Sequence, residues 1–252
     1  MSRSIPFDHI ADVYDATRGG LSVGRIFADA AALHLPRVPA RVVEVGIGTG
    51  LIAAPLSDRG HTVLGVDLSP KMIALAVERI GARVAIGDAT RMPIASASCD
   101  AVVAARVLHV VGDPAAVLAD AARVIRPEGR IIVILAGVSR LDPRDDIDEA
   151  TAAMRAGPLR GPDADATLAL AATVGSLEPI ALELTTPMEF DESPRDYAEK
   201  IRARTWVGFW EIDNATWERT AQPAIEQLLQ LPEPDRPRRR VRTHRVLAFA
   251  RR

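Results

Sequence analysis

The fold is decided by the stretch Val42-Val43-Glu44-Val45-Gly46-Ile47-Gly48-Thr49-Gly50. Its first half is apolar enough for a buried strand, which ends in an acid and three alternating glycines before a predicted helix. Because glycine has no side chain, such a backbone can approach a bound ligand closely. Twenty-one residues after Gly46, a second apolar strand ends in Asp67, whose carboxylate can accept hydrogen bonds from a ribose. Together the two segments predict a nucleoside-type cofactor at the carboxyl ends of a parallel sheet.

The glycine spacing indicates which cofactor this is. A dinucleotide site follows G-x-G-x-x-G, whereas the glycines here follow G-x-G-x-G and Leu51 occupies the sixth position. Glu44 lies two residues before the first glycine. A carboxylate at that position would repel a pyrophosphate, and it would attract a cofactor that carries an ammonium and a sulfonium.

The segment from Glu44 to Gly50 resembles the first motif of class I S-adenosylmethionine-dependent methyltransferases. Further segments resemble that family's second strand, adenine loop, fourth strand and lead into the fifth strand, and they occur in its order: 63–72, 86–93, 99–105 and 126–133. The opening 7–15 resembles the small-molecule branch, to which ubiquinone and menaquinone methyltransferases belong. The resemblance implies S-adenosyl-L-methionine as cofactor and S-adenosyl-L-homocysteine as product.

Strands and helices alternate after residue 39, which predicts an α/β fold with a doubly wound, mostly parallel sheet of Rossmann-like type. The resemblance implies seven strands, of which the last is antiparallel. We predict one methyltransferase domain over 1–252. Residues 1–38 form helices over the site, 39–136 form the cofactor-binding core, and 137–252 supply helical insertions and a final strand pair. Ile180–Thr186 and Val241–Ala250 are the predicted pair.

Several residues are predicted to bind the cofactor. Asp67 is expected to hold the ribose. The resemblance implies that Asp88, after Gly87, accepts the adenine amino group, although an ordinary turn aspartate is the alternative. Arg18 lies just after the first helix and could pair with the methionine carboxylate, because a guanidinium matches that geometry; a solvated surface arginine is the alternative. The full predicted set is Tyr14, Arg18, Glu44, Gly46, Gly48, Gly50, Asp67, Leu68, Met72, Gly87, Asp88, Ala89 and Arg106.

His109 is the candidate catalytic residue. It follows the predicted fourth strand, and its neutral form could take a proton from an acceptor hydroxyl near pH 7. The alternative is a histidine that packs against the cofactor. Arg106, three residues earlier, could contact cofactor or acceptor, or only a neighbouring carboxylate. No metal site is predicted.

Composition limits the partners. Of the 252 residues 48% are apolar, and the formal net charge is −2, which gives no reason to expect nucleic acid. We see no signal peptide and no apolar run long enough to span a bilayer, so we expect a cytoplasmic protein, monomeric or homodimeric. The arginines between Arg236 and Arg245 fit a solvated edge strand better than a nucleic-acid surface. Trp206, Phe209, Trp210 and Trp217 are expected in the core of a cap, and the alternative is that they line a pocket for an apolar or aromatic substrate.

The sequence therefore predicts methyl transfer to a small-molecule acceptor. Two alternatives stay open. One is an RNA methyltransferase, which would need a basic face over the pocket. The other is a protein that keeps the cofactor site without transferring methyl, such as a cyclase or a regulator.

Overall fold

The computed structural model describes residues 7–139, 145–156, 162–210 and 212–252. They fall into two compact units, and a single domain over 1–252 stays a prediction. The first unit takes in 1–137, 162–186 and 244–252. The second takes in 138–161 and 187–243, which are the segments that the sequence assigned to insertions and part of the final strand pair.

A doubly wound sheet forms the centre of the first unit. Across the described residues its strands follow the order β3-β2-β1-β4-β5-β8-β6, which confirms the predicted seven-stranded α/β fold. These seven strands are β1 Arg41–Val45, β2 Thr62–Asp67, β3 Val84–Ile86, β4 Cys99–Ala105, β5 Ile125–Ser139, β6 Leu177–Leu184 and β8 Arg238–Arg251. A further strand, β7 Met188–Glu192, lies in the second unit and is not part of this order. β6 runs antiparallel to the Arg245–Arg251 part of β8, which confirms the expected strand pair.

Strand register places the predicted site residues at one edge. β1 pairs in parallel with both β2 and β4, so that Val45 lies opposite Val66 and Ala104. Asp67 ends β2 and lies opposite Ile86 of β3. The carboxyl ends of neighbouring parallel strands therefore meet, and the buried strands carry almost continuous apolar side chains, as a sheet covered on both faces requires.

Helices of the first unit begin where the sequence indicated. The Ser69 hydroxyl caps α4 by accepting from the Met72 N–H at 3.1 Å, and Asp113 caps α5 by accepting from the Ala116 N–H at 2.9 Å. Each cap precedes a proline in the first turn. The helices of this unit are α1 Ala11–Arg18, α2 Gly20–Ala32, α3 Ala53–Asp58, α4 Pro70–Ile80, α5 Pro114–Val124 and α8 Ala164–Val174, and a 3-10 helix Asp8–Ile10 precedes α1.

The second unit has its own apolar core. Tyr197, Trp206, Phe209 and Trp217 pack in that core, in contact with Ile225 and other residues of its helices. This confirms the interpretation of these aromatics as core, while Trp210 donates its indole N–H to the Arg204 carbonyl. The helices are α6 Asp146–Ala150, α7 Ala152–Ala156, α9 Pro194–Arg202 and α10 Asn214–Gln230, with a 3-10 helix Val207–Phe209.

The arginines of β8 correct one prediction. The expected solvated edge strand is wrong, because β7, which the sequence did not predict, pairs with β8 over residues 238–242. Arg240 is only 2% exposed. Its guanidinium makes ion pairs with Asp145 at 2.8 Å, with Glu192 at 2.5 Å and with Asp148. A buried arginine of this kind depends on its carboxylates, since an unpaired buried charge is strongly destabilising.

Two further boundaries differ from the sequence. β5 begins at Ile125, not at residue 130, and includes the Arg126-Pro127-Glu128-Gly129 segment. The predicted helix over 142–156 is divided into α6 and α7, and its first residues lie outside the described part of the chain. None of the helices described has the length and apolar character needed to cross a membrane.

Candidate cofactor and acceptor site

The glycine loop after β1 turns back over the end of β2. The N–H groups of Gly46 and Ile47 both donate to the Val66 carbonyl, at 2.8 and 3.1 Å. Gly46 has a φ of +63°, and a Cβ there would lie 2.6 Å from a Val107 methyl carbon. A side chain is therefore excluded at this position on two grounds, conformation and space.

Asp67 holds the loop from the neighbouring strand. Its Oδ2 accepts from the Gly48 N–H at 2.8 Å, and its Oδ1 accepts from the Ser69 N–H at 2.9 Å. Burial raises the pKa of this carboxyl, against the opposing effect of those two hydrogen bonds. Each carboxylate oxygen still has acceptor capacity left, so Asp67 can also bind ribose hydroxyls.

Beside the loop lies a pocket in two compartments. The larger, of about 610 Å³, is lined by apolar side chains and by Asp67. The smaller, of about 370 Å³, contains Glu44 and Arg18. Four residues line both compartments: Tyr14, Gly46, Ala105 and Arg106. The larger compartment also contains Phe7, Gly48, Val66, Leu68, Met72, Gly87, Ala89, Val107, Val110 and Val111.

Eleven residues of the predicted cofactor set line these compartments, whereas Gly50 and Asp88 do not. Gly50 closes the loop by donating its N–H to the Ile47 carbonyl at 3.0 Å. The Asp88 Oδ1 accepts from both the N–H and the hydroxyl of Thr90 at 2.8 Å, which is the turn role that the sequence gave as the alternative. A contact from Asp88 to adenine stays a prediction.

Glu44 is a buried acid with unused acceptor capacity. It is 2% exposed, and its Oε2 has no hydrogen-bond partner among the described residues. Burial raises the pKa of this carboxyl well above its usual range, and the neighbouring Asp67 carboxylate raises it further. A buried polar atom of this kind normally has a hydrogen-bond partner. Because Glu44 lines the smaller compartment, it offers a place for a cationic group of a ligand.

Arg106 follows β4 in a backbone conformation that is uncommon for a residue other than glycine, with a φ of +55°. Its N–H donates to the Ile134 carbonyl at 2.7 Å, which fixes this conformation against β5. Its guanidinium lies 5.5 Å from the Phe27 ring and 3.4 Å from the Tyr14 hydroxyl. The Arg18 guanidinium lies 5.6 Å from the Tyr14 ring, and burial, followed by the charge of Arg106, lowers the pKa of Arg18.

His109 lies close to both arginines. Burial, followed by the charges of Arg106 and Arg18, lowers the pKa of His109 to about 4. Its Nδ1 has no hydrogen-bond partner in the described part of the chain. The imidazole is therefore neutral at pH 7. It is not among the described residues that line either compartment, and its role as a base stays a prediction.

The N-terminal segment is attached to the site by contacts that the sequence did not predict. Asp15 accepts from the Thr49 hydroxyl at 2.5 Å and forms an ion pair with Arg79. Asp8 accepts from the Ser69 hydroxyl at 2.7 Å, and this bond lowers the pKa of Asp8. Both acids lie in the 7–15 segment that carried the family resemblance, so the motif itself was the available signal.

Fold and pocket together agree with the resemblance to class I S-adenosylmethionine-dependent methyltransferases. The Glu44 oxygen that lacks a partner among the described residues is suited to the ammonium of the cofactor. Arg18 and Arg106 are suited to its carboxylate and Asp67 to its ribose, and these contacts stay predictions. Leu68 and Ala89 line the larger compartment, and their contact with the adenine stays a prediction. The same Glu44 would repel the pyrophosphate of a dinucleotide.

Residues 43–133 match a protein family described as a methyltransferase domain. A demethylmenaquinone methyltransferase of Beutenbergia cavernae is 38% identical over 131 residues, which are 50% of this chain and 55% of that protein. The chain thus spans about half the length of the curated relatives it matches.

Solved structures share the fold over almost the whole chain. The (4+2)-cyclase SpnF superposes with a TM-score of 0.61 at 17% identity and covers 99% of each chain. A putative methyltransferase from Bacillus halodurans superposes with a TM-score of 0.58 at 16% identity, over 88% of this chain and 97% of that chain. At such identities the likeness concerns the fold, and it agrees with the fold predicted from the sequence.

Proposed function

We propose that this protein transfers the methyl group of S-adenosyl-L-methionine to a small-molecule acceptor. The observation that carries this proposal is the buried Glu44 oxygen, which has no hydrogen-bond partner among the described residues and lines the smaller compartment. Asp67 and the glycine loop line the adjoining larger compartment. The acid suits a cofactor that is cationic at its methionine end, and Asp67 suits an adenosine. The methyltransferase domain at residues 43–133 supports the same activity.

The residues of this chain mainly position the reactants. The bound cofactor supplies a methyl group that its sulfonium has already activated for displacement. Asp67 and Glu44 hold the two ends of the cofactor site, while Tyr14 lies 3.7 Å from where a Gly48 side chain would begin and so covers the loop. Alignment and exclusion of water can lower a barrier by roughly 7–11 kcal/mol.

The acceptor that we propose carries an apolar ring. Phe7, Val107, Val110 and Val111 line the larger compartment and give it an apolar wall. The Beutenbergia relative is named for demethylmenaquinone, a compound with a naphthoquinone ring, and we extend from that name only the apolar ring. We further propose a cytoplasmic protein, monomeric or homodimeric, that does not bind nucleic acid.

One experiment tests cofactor and transfer together. Calorimetry with S-adenosylhomocysteine and with NAD⁺ is expected to show binding of the first alone, because Glu44 opposes a pyrophosphate. Single-turnover mixing of S-adenosylmethionine with reduced naphthoquinones should then release S-adenosylhomocysteine and a product heavier by one methylene.

Both the binding measurement and the transfer measurement have an outcome that counts against the proposal. Binding of NAD⁺ in place of S-adenosylhomocysteine would overturn the cofactor assignment. Binding of S-adenosylhomocysteine without methyl transfer to any compound of a broad acceptor panel would favour the non-methylating alternative, a cyclase or regulator. Transfer to RNA, with strong salt dependence, would favour the RNA alternative.

A further inference from the structure

A ring of three side-chain contacts joins α1 to the glycine loop and to α4. The Asp15 Oδ1 accepts from the Thr49 hydroxyl at 2.5 Å, and the Asp15 Oδ2 forms an ion pair with the Arg79 guanidinium. The Arg79 Nη1 in turn donates to the Thr49 carbonyl at 2.6 Å. Because Thr49 is only 1% exposed, its hydroxyl depends on Asp15 as an acceptor. One acid of α1 is therefore bound to the loop directly and also through Arg79.

Apolar burial contributes little to the position of α1. The helix has eight residues, of which only Ala11 is buried. A helix of this length is marginal by itself, and aspartate is a poor residue for a helix interior, so tertiary contacts must keep the helix in place. The contacts of Asp15 with Thr49 and Arg79 are contacts of this kind, and they connect the middle of α1 to the loop.

Tyr14, the residue before Asp15, lines both compartments of the proposed cofactor site. Its ring lies 3.7 Å from where a Gly48 side chain would begin, so it covers the glycine loop. Its hydroxyl accepts from the Arg106 guanidinium at 3.4 Å. Asp15 itself is not among the described residues that line either compartment. Any effect of Asp15 on a ligand must therefore pass through the residues that it holds.

We propose that Asp15 is a positioning residue for the cofactor, because it holds α1 against the glycine loop so that Tyr14 covers the bound S-adenosyl group. This inference rests on the proposed function. The ring of contacts involves only groups of the chain itself, so the cover is preorganised and loses little conformational entropy on binding. Without Asp15, Tyr14 lies over the loop in only a fraction of the molecules, and the apparent affinity for the cofactor falls by that fraction.

A purely structural role for Asp15 would have a different signature. Loss of the contacts with Thr49 and Arg79 would then lower the free energy of unfolding and leave the affinity for the cofactor unchanged. A positioning role changes affinity more than stability, because α1 contributes a single buried residue to the domain. It also makes the effect of Asp15 on affinity depend on Tyr14.

The first test is calorimetric titration with S-adenosylhomocysteine. Asp15→Ala should raise the Kd at least about tenfold. Asp12→Ala, which removes an exposed acid three residues earlier in the same helix, should change the Kd by no more than about twofold. Asp15→Asn keeps an acceptor for the Thr49 hydroxyl and loses the charge opposite Arg79, so it should recover part of the affinity. A Kd for Asp15→Ala within about threefold of wild type, with only the urea midpoint lowered, overturns the proposal.

A double-mutant cycle identifies the residue through which Asp15 acts. Tyr14→Ala removes the cover itself. Adding Asp15→Ala to that variant should therefore raise the Kd by no more than about threefold beyond Tyr14→Ala alone. If the effects of the two substitutions multiply in full, Asp15 does not act through Tyr14, and the proposal is overturned.

Hydrogen exchange of the wild type covers the case in which Asp15→Ala fails to fold. Saturation with S-adenosylhomocysteine should slow exchange of the α1 amides at least about tenfold, because a covered ligand must leave or lose contacts before α1 opens. Unchanged exchange of these amides overturns the proposal. If the wild type does not bind S-adenosylhomocysteine in calorimetry, the proposed function fails, and this inference fails with it.

Discussion

Asp67→Ala is the sharpest test of the cofactor site. The aspartate accepts two backbone N–H groups, from Gly48 at 2.8 Å and from Ser69 at 2.9 Å, and it is the proposed ligand of the ribose. Hydrogen bonds to a charged group contribute roughly 1.5–3 kcal/mol. Loss of the ribose contact alone should therefore raise the Kd for S-adenosylhomocysteine by about 10- to 150-fold in calorimetry.

The effect on stability should be much smaller than the effect on binding. Removing the carboxylate leaves the Gly48 N–H without its acceptor, which costs about 1–3 kcal/mol. Burial already disfavours the charged form of Asp67, as its raised pKa indicates, so part of that cost is offset. We expect the free energy of unfolding of the ligand-free protein to fall by about 1 kcal/mol in urea denaturation.

Two variants control this measurement. Asp67→Asn keeps one acceptor oxygen and should lie between wild type and alanine, while Asp58→Ala removes an exposed acid at the end of α3 and should bind normally. A Kd for Asp67→Ala within about threefold of wild type would show that the carboxylate does not contact the ligand.

Three further predictions concern other parts of the site. In Gly24→Ala the new Cβ would lie 2.1 Å from the Leu51 carbonyl oxygen, so α2 must shift, and urea denaturation should show a loss of about 1–3 kcal/mol; an unchanged midpoint would contradict the packing. Arg106→Gly should be more stable than Arg106→Ala by about 1 kcal/mol, because only alanine is strained at a φ of +55°, and the reverse order in thermal unfolding would refute that strain. His109 has a pKa lowered from 6.5 to about 4, so its contribution to stability is complete above pH 6.5 and is lost as the pH falls toward 4. His109→Asn should therefore lose about 2 kcal/mol less than wild type between pH 7 and pH 5, and parallel profiles would reject the burial of a neutral imidazole.

The glycine loop could be predicted from the sequence because its signals are local. A buried β1, a glycine turn after it and an acid at the end of β2 each depend on neighbouring residues, and the structure confirms them. The same holds for the caps at Ser69 and Asp113, where a short polar side chain and the following proline define a helix start.

The arginines of β8 could not be assigned in that way. Arg240 pairs with Glu192 and Asp145, which are 48 and 95 residues away in the chain, and no local pattern connects them. The sequence did not predict β7, the strand that covers this part of β8. Its sequence Met188-Glu189-Phe190-Asp191-Glu192 alternates apolar and acidic residues, which is a strand signal, although five residues are too few to be distinctive.

The conformation of Arg106 was equally hidden. Arginine rarely adopts a positive φ, so its residue type gave no signal. The conformation arises from the register between β4 and β5, which brings the Arg106 N–H within reach of the Ile134 carbonyl. The sequence could place an arginine after β4, but the contacts of its guanidinium with Tyr14 and Phe27 depend on tertiary structure. For His109 the prediction of a base took the ordinary pKa of histidine. Burial beside two arginines lowers that pKa, which the sequence could not show.

The attachment of the N-terminal segment has a practical consequence. Asp8 bonds to Ser69, and Asp15 bonds to Thr49, so α1 is fastened to both loops that a ligand must touch. Any compound that binds this site and stabilises these contacts also shields peptide bonds in residues 7–18 from cleavage. A protease added at low concentration would thus act as a reporter, and the survival of the intact chain would rank unknown ligands without any assay of turnover.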